Sequence, residues 1–282
     1  TKLMTAQGSS SNSHLSIELR DKCPSFFNYE DEQLISAIEE LYLATESSPS
    51  LERIVDTILK YITRPINLGK ICSELIKLKN FKGVIDIVLR RAAAIDPRQQ
   101  ALSWFKCGRN KTNIIGCEAF DKRYACYEHL FEIINERRAF DMMMATNDEL
   151  FHICLYQRMS EMNMLDRLLT KNNTFIVPYL TEFAPNQLWR YYEQHKEYDL
   201  AAKRLIEMAN ANDETPLHQR IEWLKKVSEF ASDQSSEDEY RIAKLQLSLA
   251  NIQMELMEKL HRGDTVILDQ QVLLEQCCKF GQ

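Results

Sequence analysis

Four side chains offer the nearest approach to a metal site: Cys107, Cys117, Cys126 and His129. Cys126 and His129 stand three apart, so one helix face can present both, as a zinc ion requires. The spacing of the full set matches no compact zinc module, and ordinary core or interface thiols explain it better. His152 and Cys154 are two apart, a separation that sends helical side chains in different directions. Cys277 and Cys278 form a vicinal pair suited to redox chemistry, although packing is the plainer role so near the chain end. There is no phosphate loop, dinucleotide fingerprint, HExxH or GxSxG motif, so no catalytic or cofactor-binding residue is assigned and no cofactor is expected. The aromatic group Trp189, Tyr191, Tyr192 and Tyr198 could line a peptide groove, but large aromatics more commonly anchor helix pairs.

These side chains lie on segments with helical periodicity. The clearest, Asp148 to Ala209, reads as two helical hairpins turning at Met162 and Tyr198, which lie 36 residues apart. After Met162, Leu165, Leu168 and Leu169 fall at offsets three, six and seven; after Tyr198 the same offsets hold Ala201, Arg204 and Leu205. Phe81, followed by Val84, Ile87 and Val88, gives a third copy. Such a period predicts an all-α fold, an elongated α-solenoid of stacked antiparallel helical hairpins. The 7 Gly and 7 Pro are too few for the turns of an all-β fold.

Further helices are expected throughout. Asn28 is placed as an N-cap, and Ser48-Pro49 as the start of a helix with Leu51, Ile54, Val55, Ile58, Leu59 and Ile62 on one face. Asp96 with Gln99, and Thr146 with Glu149, read as capping boxes. One long helix is expected from Ile114 to about Arg138, with Phe120, Tyr124, Tyr127, Phe131 and Ile134 on a shared face. Pro178 is expected to interrupt a short helix over 174–183. The helix over 237–262 carries two apolar stripes, one of Ile242, Leu245, Leu249, Ile252 and Leu256, the other of Leu247, Ala250, Met254 and Met257. Both stripes are expected to be covered. Residues 1–13 read as a flexible polar tail and 14–282 as the helical solenoid. The apolar helix expected at about 265–279 implies further capping helices beyond it.

The net charge of −6 argues against a nucleic-acid binder, for which a basic face is the first requirement. Eight cysteines without a CxxC, most at apolar-periodic positions, suit free thiols better than a disulfide framework. No apolar run reaches the roughly 20 residues of a membrane span.

Particular segments carry a resemblance. DELFHICLYQRM (148–159) and LWRYYE (188–193) are similar to segments of the large non-FG inner-ring nucleoporins, the nucleoporin 155/170 family. The similarity extends through LRDKCPSFF (19–27), LGKICSELIKLKNFKGVIDIVLRRA (68–92), LSWFKCG (102–108), IIGCEAFDKRYACYEHL (114–130) and LDQQVLLEQCCKFG (268–281). The region after Arg138 is shorter than the family pattern, which carries a polar insertion there. The resemblance implies a non-enzymatic scaffold of the nuclear pore's inner ring at the nuclear envelope, with a role in nucleocytoplasmic transport. Its solenoid surfaces would bind other nucleoporins, including segments of linker nucleoporins. Membrane contact is attributed to the family's β-propeller, which has no counterpart in these residues. No partner-binding residue carries over, because the matching motifs look like hairpin core. Periodicity alone would equally allow a helical-repeat adaptor of a vesicle coat or a proteasome-lid-like assembly.

Overall fold

The computed structural model describes residues 28–110, 112–211, 215–230 and 237–261, together with Glu18 and Lys22. Every regular element among the described residues is helical. The polar tail, Cys23, the Cys277-Cys278 pair and the apolar segment at 265–279 lie outside them. The chain divides into two compact units, residues 1–164 and 165–282.

The first unit holds α1 (Tyr29–Leu43), α2 (Leu51–Lys60), α3 (Leu68–Lys77), α4 (Phe81–Ile95), α5 (Gln100–Lys106), α6 (Ile114–Phe131), α7 (Arg137–Met144) and α8 (Glu149–Glu161). Consecutive helices pair as hairpins, α1 with α2, α3 with α4 and α5 with α6. The pairs then stack through α4, which touches α2, α3, α6 and α7. Its sequence allows this: Gly83, Val84, Ile85, Ile87, Val88 and Ala92 are buried around much of its circumference. Ile54, Ile58, Ile71, Leu75, Ile87, Leu130, Ile134 and Phe140 complete a close-packed interior.

A recurring local rule sets where these helices begin. Asn28, Asn67, Asn80, Asn113 and Asp148 each accept a hydrogen bond from a backbone N–H of the first turn. Each relieves an orphan donor, worth about 0.5–2 kcal/mol. At Asn28 the reciprocal bond from its own N–H to Asp31 completes a capping box.

The second unit holds α9 (Leu165–Leu169), α10 (Ile176–Phe183), a 3-10 turn (Pro185–Gln187), α11 (Leu188–Gln194), α12 (Tyr198–Asn210), α13 (Leu217–Phe230) and α14 (Glu237–His261). Successive pairing of α11, α12, α13 and α14 builds its core. Ala201, Ala202, Leu205 and Ala209 of α12 meet Leu224, Val227 and Phe230 of α13 and Ala243 of α14. Alanines on the middle helix let the backbones of its neighbours approach closely.

The repeat is real but its register differs from the periodicity reading. Lys79, Asn163 and Lys196 adopt left-handed backbone conformations, with φ of 53°, 55° and 61°. In each turn the next N–H bonds five residues back: Asn80 to Leu75, Met164 to Met159, and Glu197 to Tyr192. The following helices start at Phe81, Leu165 and Tyr198. Leu165, not Met162, is therefore the counterpart of Phe81 and Tyr198. A shift of three residues leaves an i, i+3, i+4 pattern almost unchanged, so periodicity cannot detect it.

Other expectations shift for local reasons. The long helix from Ile114 ends at Phe131, and α7 starts separately at Arg137. Phe120, Tyr124 and Phe131 still form an aromatic ladder, whereas Tyr127 turns inward onto Phe151. Ser48 accepts from the Thr45 N–H instead of capping α2, which begins at Leu51. Gln99 takes a left-handed conformation with no side-chain cap bond, and Asp96 alone serves α5. Pro178 does not interrupt α10, because it occupies the first turn, where no backbone donor is needed. On α14 neither stripe is covered along its length: Ala250 is buried and Leu247 packs on the core in one, but Met257 of that stripe and Ile242 and Leu249 of the other are exposed.

Candidate functional site

The most elaborate polar arrangement lies inside the first unit. Arg123 projects from α6 and is 5% exposed, while Asp96, just ahead of α5, is 4% exposed. Asp96 accepts from the backbone N–H groups of Gln100 and Ala101, and Asp148 caps α8 through Phe151 N–H. Arg123 Nη2 lies 2.8 and 2.6 Å from the two Asp148 oxygens, and Nη1 lies 3.4 Å from Asp96 Oδ2. Its Nε donates to the Tyr127 hydroxyl at 2.9 Å, which in turn donates to Asp148 Oδ2 at 3.0 Å. One guanidinium thus fastens the starts of two helices to a third. Burial first, and the Asp148 carboxylate second, push the Tyr127 hydroxyl far above its ordinary value, so it stays a neutral donor. One cation lies between two carboxylates, each of which also accepts backbone N–H bonds, and the node is closed, which suits a structural tie rather than a reactive centre. Nothing in the sequence singled out Arg123, because an arginine in an amphipathic helix ordinarily faces water.

His152 occupies a second closed arrangement. Its Nε2 lies 2.8 Å from the Thr146 carbonyl oxygen, and the Tyr156 hydroxyl reaches Nδ1 at 3.0 Å. These partners select the neutral tautomer with the proton on Nε2. Burial holds the ring pKa below its ordinary value. Thr146, expected to cap α8, instead donates its hydroxyl to the Met143 carbonyl and borders His152, leaving the cap to Asp148. Cys154 is buried on the same helix, and burial pushes its thiol up to about 12.

The remaining sequence candidates do not assemble. Cys107 is exposed, Cys117 half-buried and Cys126 buried, while His129 pairs with Glu132 at 3.4 Å and packs against Gly69. Among the described residues no three His, Cys, Asp or Glu side chains come close enough to hold a metal. Cys72 is likewise pushed up to about 12 by burial, and the Cys126 thiol rises for the same reason. Neither is a thiolate at neutral pH.

In the second unit the aromatic group is used for packing. Tyr191 is buried against His195, with ring centroids 4.3 Å apart, and Tyr198 lies on Phe230 at 5.5 Å. Trp189, Tyr192 and Tyr198 cover the alanine-rich core of α12 and α13.

A shallow groove does open where the end of α2 meets the end of α4. Leu59, Lys60, Ile62, Thr63, Arg90, Ala93 and Ala94 enclose about 280 Å³. Behind it Arg91 Nη1 donates to the Ile62 and Arg64 carbonyls, at 2.5 and 3.2 Å, fixing the chain that leaves α2. Nothing in the sequence marks this place, since Lys60 and Arg90 lie thirty residues apart. No helix among the described residues is long and apolar enough to cross a membrane.

Comparison with known proteins gives these geometries a context. The sequence profile of the non-repetitive/WGA-negative nucleoporin C-terminal family matches residues 2–277. The Schizosaccharomyces pombe protein named "Probable nucleoporin C890.06" is 29% identical over 241 residues, covering 76% of this chain and 18% of its own. Nuclear pore complex protein Nup154 of Drosophila melanogaster is 25% identical over 270 residues, covering 76% and 20%. The chain therefore spans about a fifth of the length of these relatives. Among solved structures, Chaetomium thermophilum Nup170 SOL superimposes with a TM-score of 0.70 at 24% identity, covering 94% of this chain and 40% of that one. The Chaetomium thermophilum Nup170 CTD–Nup145N complex gives 0.70 at 24% identity over 87% of this chain and 54% of the other. At that identity the likeness establishes the fold.

Proposed function

Because the chain belongs to the non-repetitive/WGA-negative nucleoporin C-terminal family, we propose that it is a scaffold piece of the nuclear pore's inner ring that binds other nucleoporins. The broader placement rests on relatives that are components of the nuclear pore complex. The role is architectural and non-enzymatic, and it supports nucleocytoplasmic transport by holding pore subunits together. The partner class is an extended segment of a linker nucleoporin, and direct contact with nucleic acid or membrane is not part of the role.

One observation carries the binding half of this reading: the same fold is shared by a Nup170 C-terminal domain solved together with Nup145N. Stacked hairpins suit such a partner physically. They present much surface for their length, and a disordered peptide can order itself along it, its entropy loss offset by contacts spread over several helices. A polypeptide partner with a few anchor side chains also fits the shallow groove between α2 and α4.

The test is capture and localisation together. Purified chain should retain a Nup145N-type linker segment at micromolar concentration, and the parent protein should concentrate at the nuclear envelope. Failure of both would end the reading, and retention of vesicle-coat or proteasome-lid subunits in place of nucleoporins would replace it.

A further inference from the structure

The groove between α2 and α4 has a chemistry of its own. Its floor is aliphatic, with Leu59, Ile62, Ala93 and Ala94, and Thr63 adds a hydroxyl. Its rim carries Lys60 and Arg90, both exposed. Other basic residues of the first unit hold carboxylates: Arg53 of α2 with Glu40, Arg64 in the turn after α2 with Glu30 and Asp31, and Lys77 of α3 with Glu74. Lys79, in the turn after α3, holds Glu46. No carboxylate among the described residues pairs with Lys60 or Arg90; Lys60 lies over the Tyr61 ring at 5.2 Å instead. Lys60 and Arg90 thus border a depression lined in part by aliphatic side chains, each one turn after an exposed aspartate (Asp56, Asp86) to which it forms no salt bridge.

From this we infer that the Lys60/Arg90 groove receives an extended peptide segment in which an aspartate or glutamate adjoins a small aliphatic side chain. The inference deepens the linker-binding reading above and rests on it. The volume of about 280 Å³ is small beside the roughly 300–1,000 Å³ of small-molecule sites, and it accommodates one or two aliphatic side chains. Ala93 and Ala94 leave room for a peptide backbone to approach α4, where larger side chains would hold it away. Exposed rim charges steer and orient such a segment, and the apolar floor supplies its anchor. Arg91 holds the Ile62 and Arg64 carbonyls, so the floor is fixed before the segment arrives.

Overlapping 20-residue fluorescent peptides tiling Nup145N, titrated by anisotropy against the whole chain, test this. At least one tile with an acidic residue beside Ile, Val or Ala should bind. Its affinity should fall about tenfold with Lys60→Glu/Arg90→Glu and with Asp→Asn in the peptide. Raising salt from 50 to 300 mM should weaken it as well. Ala93→Leu, which fills the floor while leaving both cations, should weaken binding equally. Circular dichroism and the unfolding midpoint of each variant confirm that the surface changes leave the fold intact. If the linker tiles bind and the charge-reversed chain binds them equally well, the groove is not the site, although the linker reading survives. If inorganic phosphate alone displaces the peptide at the peptide's own concentration, the groove is a simple anion site and the inference falls. If no tile binds wild-type chain, the linker reading fails and takes this inference with it.

Discussion

Arg123 Nη2 sits 2.6 Å from one oxygen of Asp148 and 2.8 Å from the other, inside the first unit rather than on its surface. The same guanidinium reaches Asp96, so one side chain ties the starts of α5 and α8 to α6. Arg123→Met removes the cation but leaves the buried Asp96 and the half-buried Asp148 without it, and should destabilise the chain by about 3–5 kcal/mol. Adding Asp96→Asn and Asp148→Asn should restore part of that loss. Urea unfolding of the single and triple variants measures both; a loss below about 1 kcal/mol for Arg123→Met would refute the tie.

His152 makes stability depend on pH. Burial lowers its folded pKa below the ordinary value near 6.5, so the unfolded chain takes up the proton first. The contribution is full above about pH 6.5 and declines as pH falls below it toward the folded pKa. The urea midpoint should therefore drop between pH 7.5 and 5.5, above the carboxylate range. In His152→Gln the dependence over that interval should flatten, whatever its absolute stability.

Lys196 holds a left-handed turn that a side chain resists, with φ of 61°. Lys196→Gly should raise stability by up to about 1 kcal/mol, because glycine adopts that conformation without the Cβ clash. Lys203→Gly, on an exposed position inside α12, should lower it by about 1 kcal/mol. Thermal melts of the two variants should move in opposite directions.

Gly116 admits no larger residue. A Cβ there would stand 2.5 Å from Trp104 Cβ and 2.9 Å from its Cγ, so Gly116→Ala should destabilise by about 1–3 kcal/mol. At Gly108 an added Cβ meets nothing within 4 Å, and the cost of Gly108→Ala should come only from its φ of +78°. The two urea curves separate a packing cause from a backbone cause.

Thiol labelling should divide the described cysteines by position. N-ethylmaleimide should modify exposed Cys107 in the native chain, leaving Cys72, Cys126 and Cys154 until urea unfolds it. Peptide mass spectrometry reads the order. Rapid native labelling of Cys154, fully packed within α8, would contradict its placement.

Several of these features were legible in the residues and several were not. Asn28 announced its helix because a capping residue needs only its own first turn, and Ile54, Val55 and Ile58 announced a buried face through spacing alone. The repeat was visible, yet Met162 was matched to Phe81 where Leu165 belongs. Its register is set by Lys79, Asn163 and Lys196, whose left-handed conformations leave no glycine to read. Thr146 looked like a cap, but a buried histidine and a nearby carbonyl competed for it. The groove stayed hidden because Lys60 and Arg90 are thirty residues apart and resemble any other solvated charges.

By itself the sequence determined that the chain is helical and, through its matching segments, which family it belongs to. Both are written in short-range patterns, side chains three or four residues apart that share a face. Tertiary structure alone decided which charges are sealed inside and which are left facing outward. Arg90 and Arg123 are the same side chain on similar helices; only the packing of α5 and α8 around one of them separates a buried tie from an open rim.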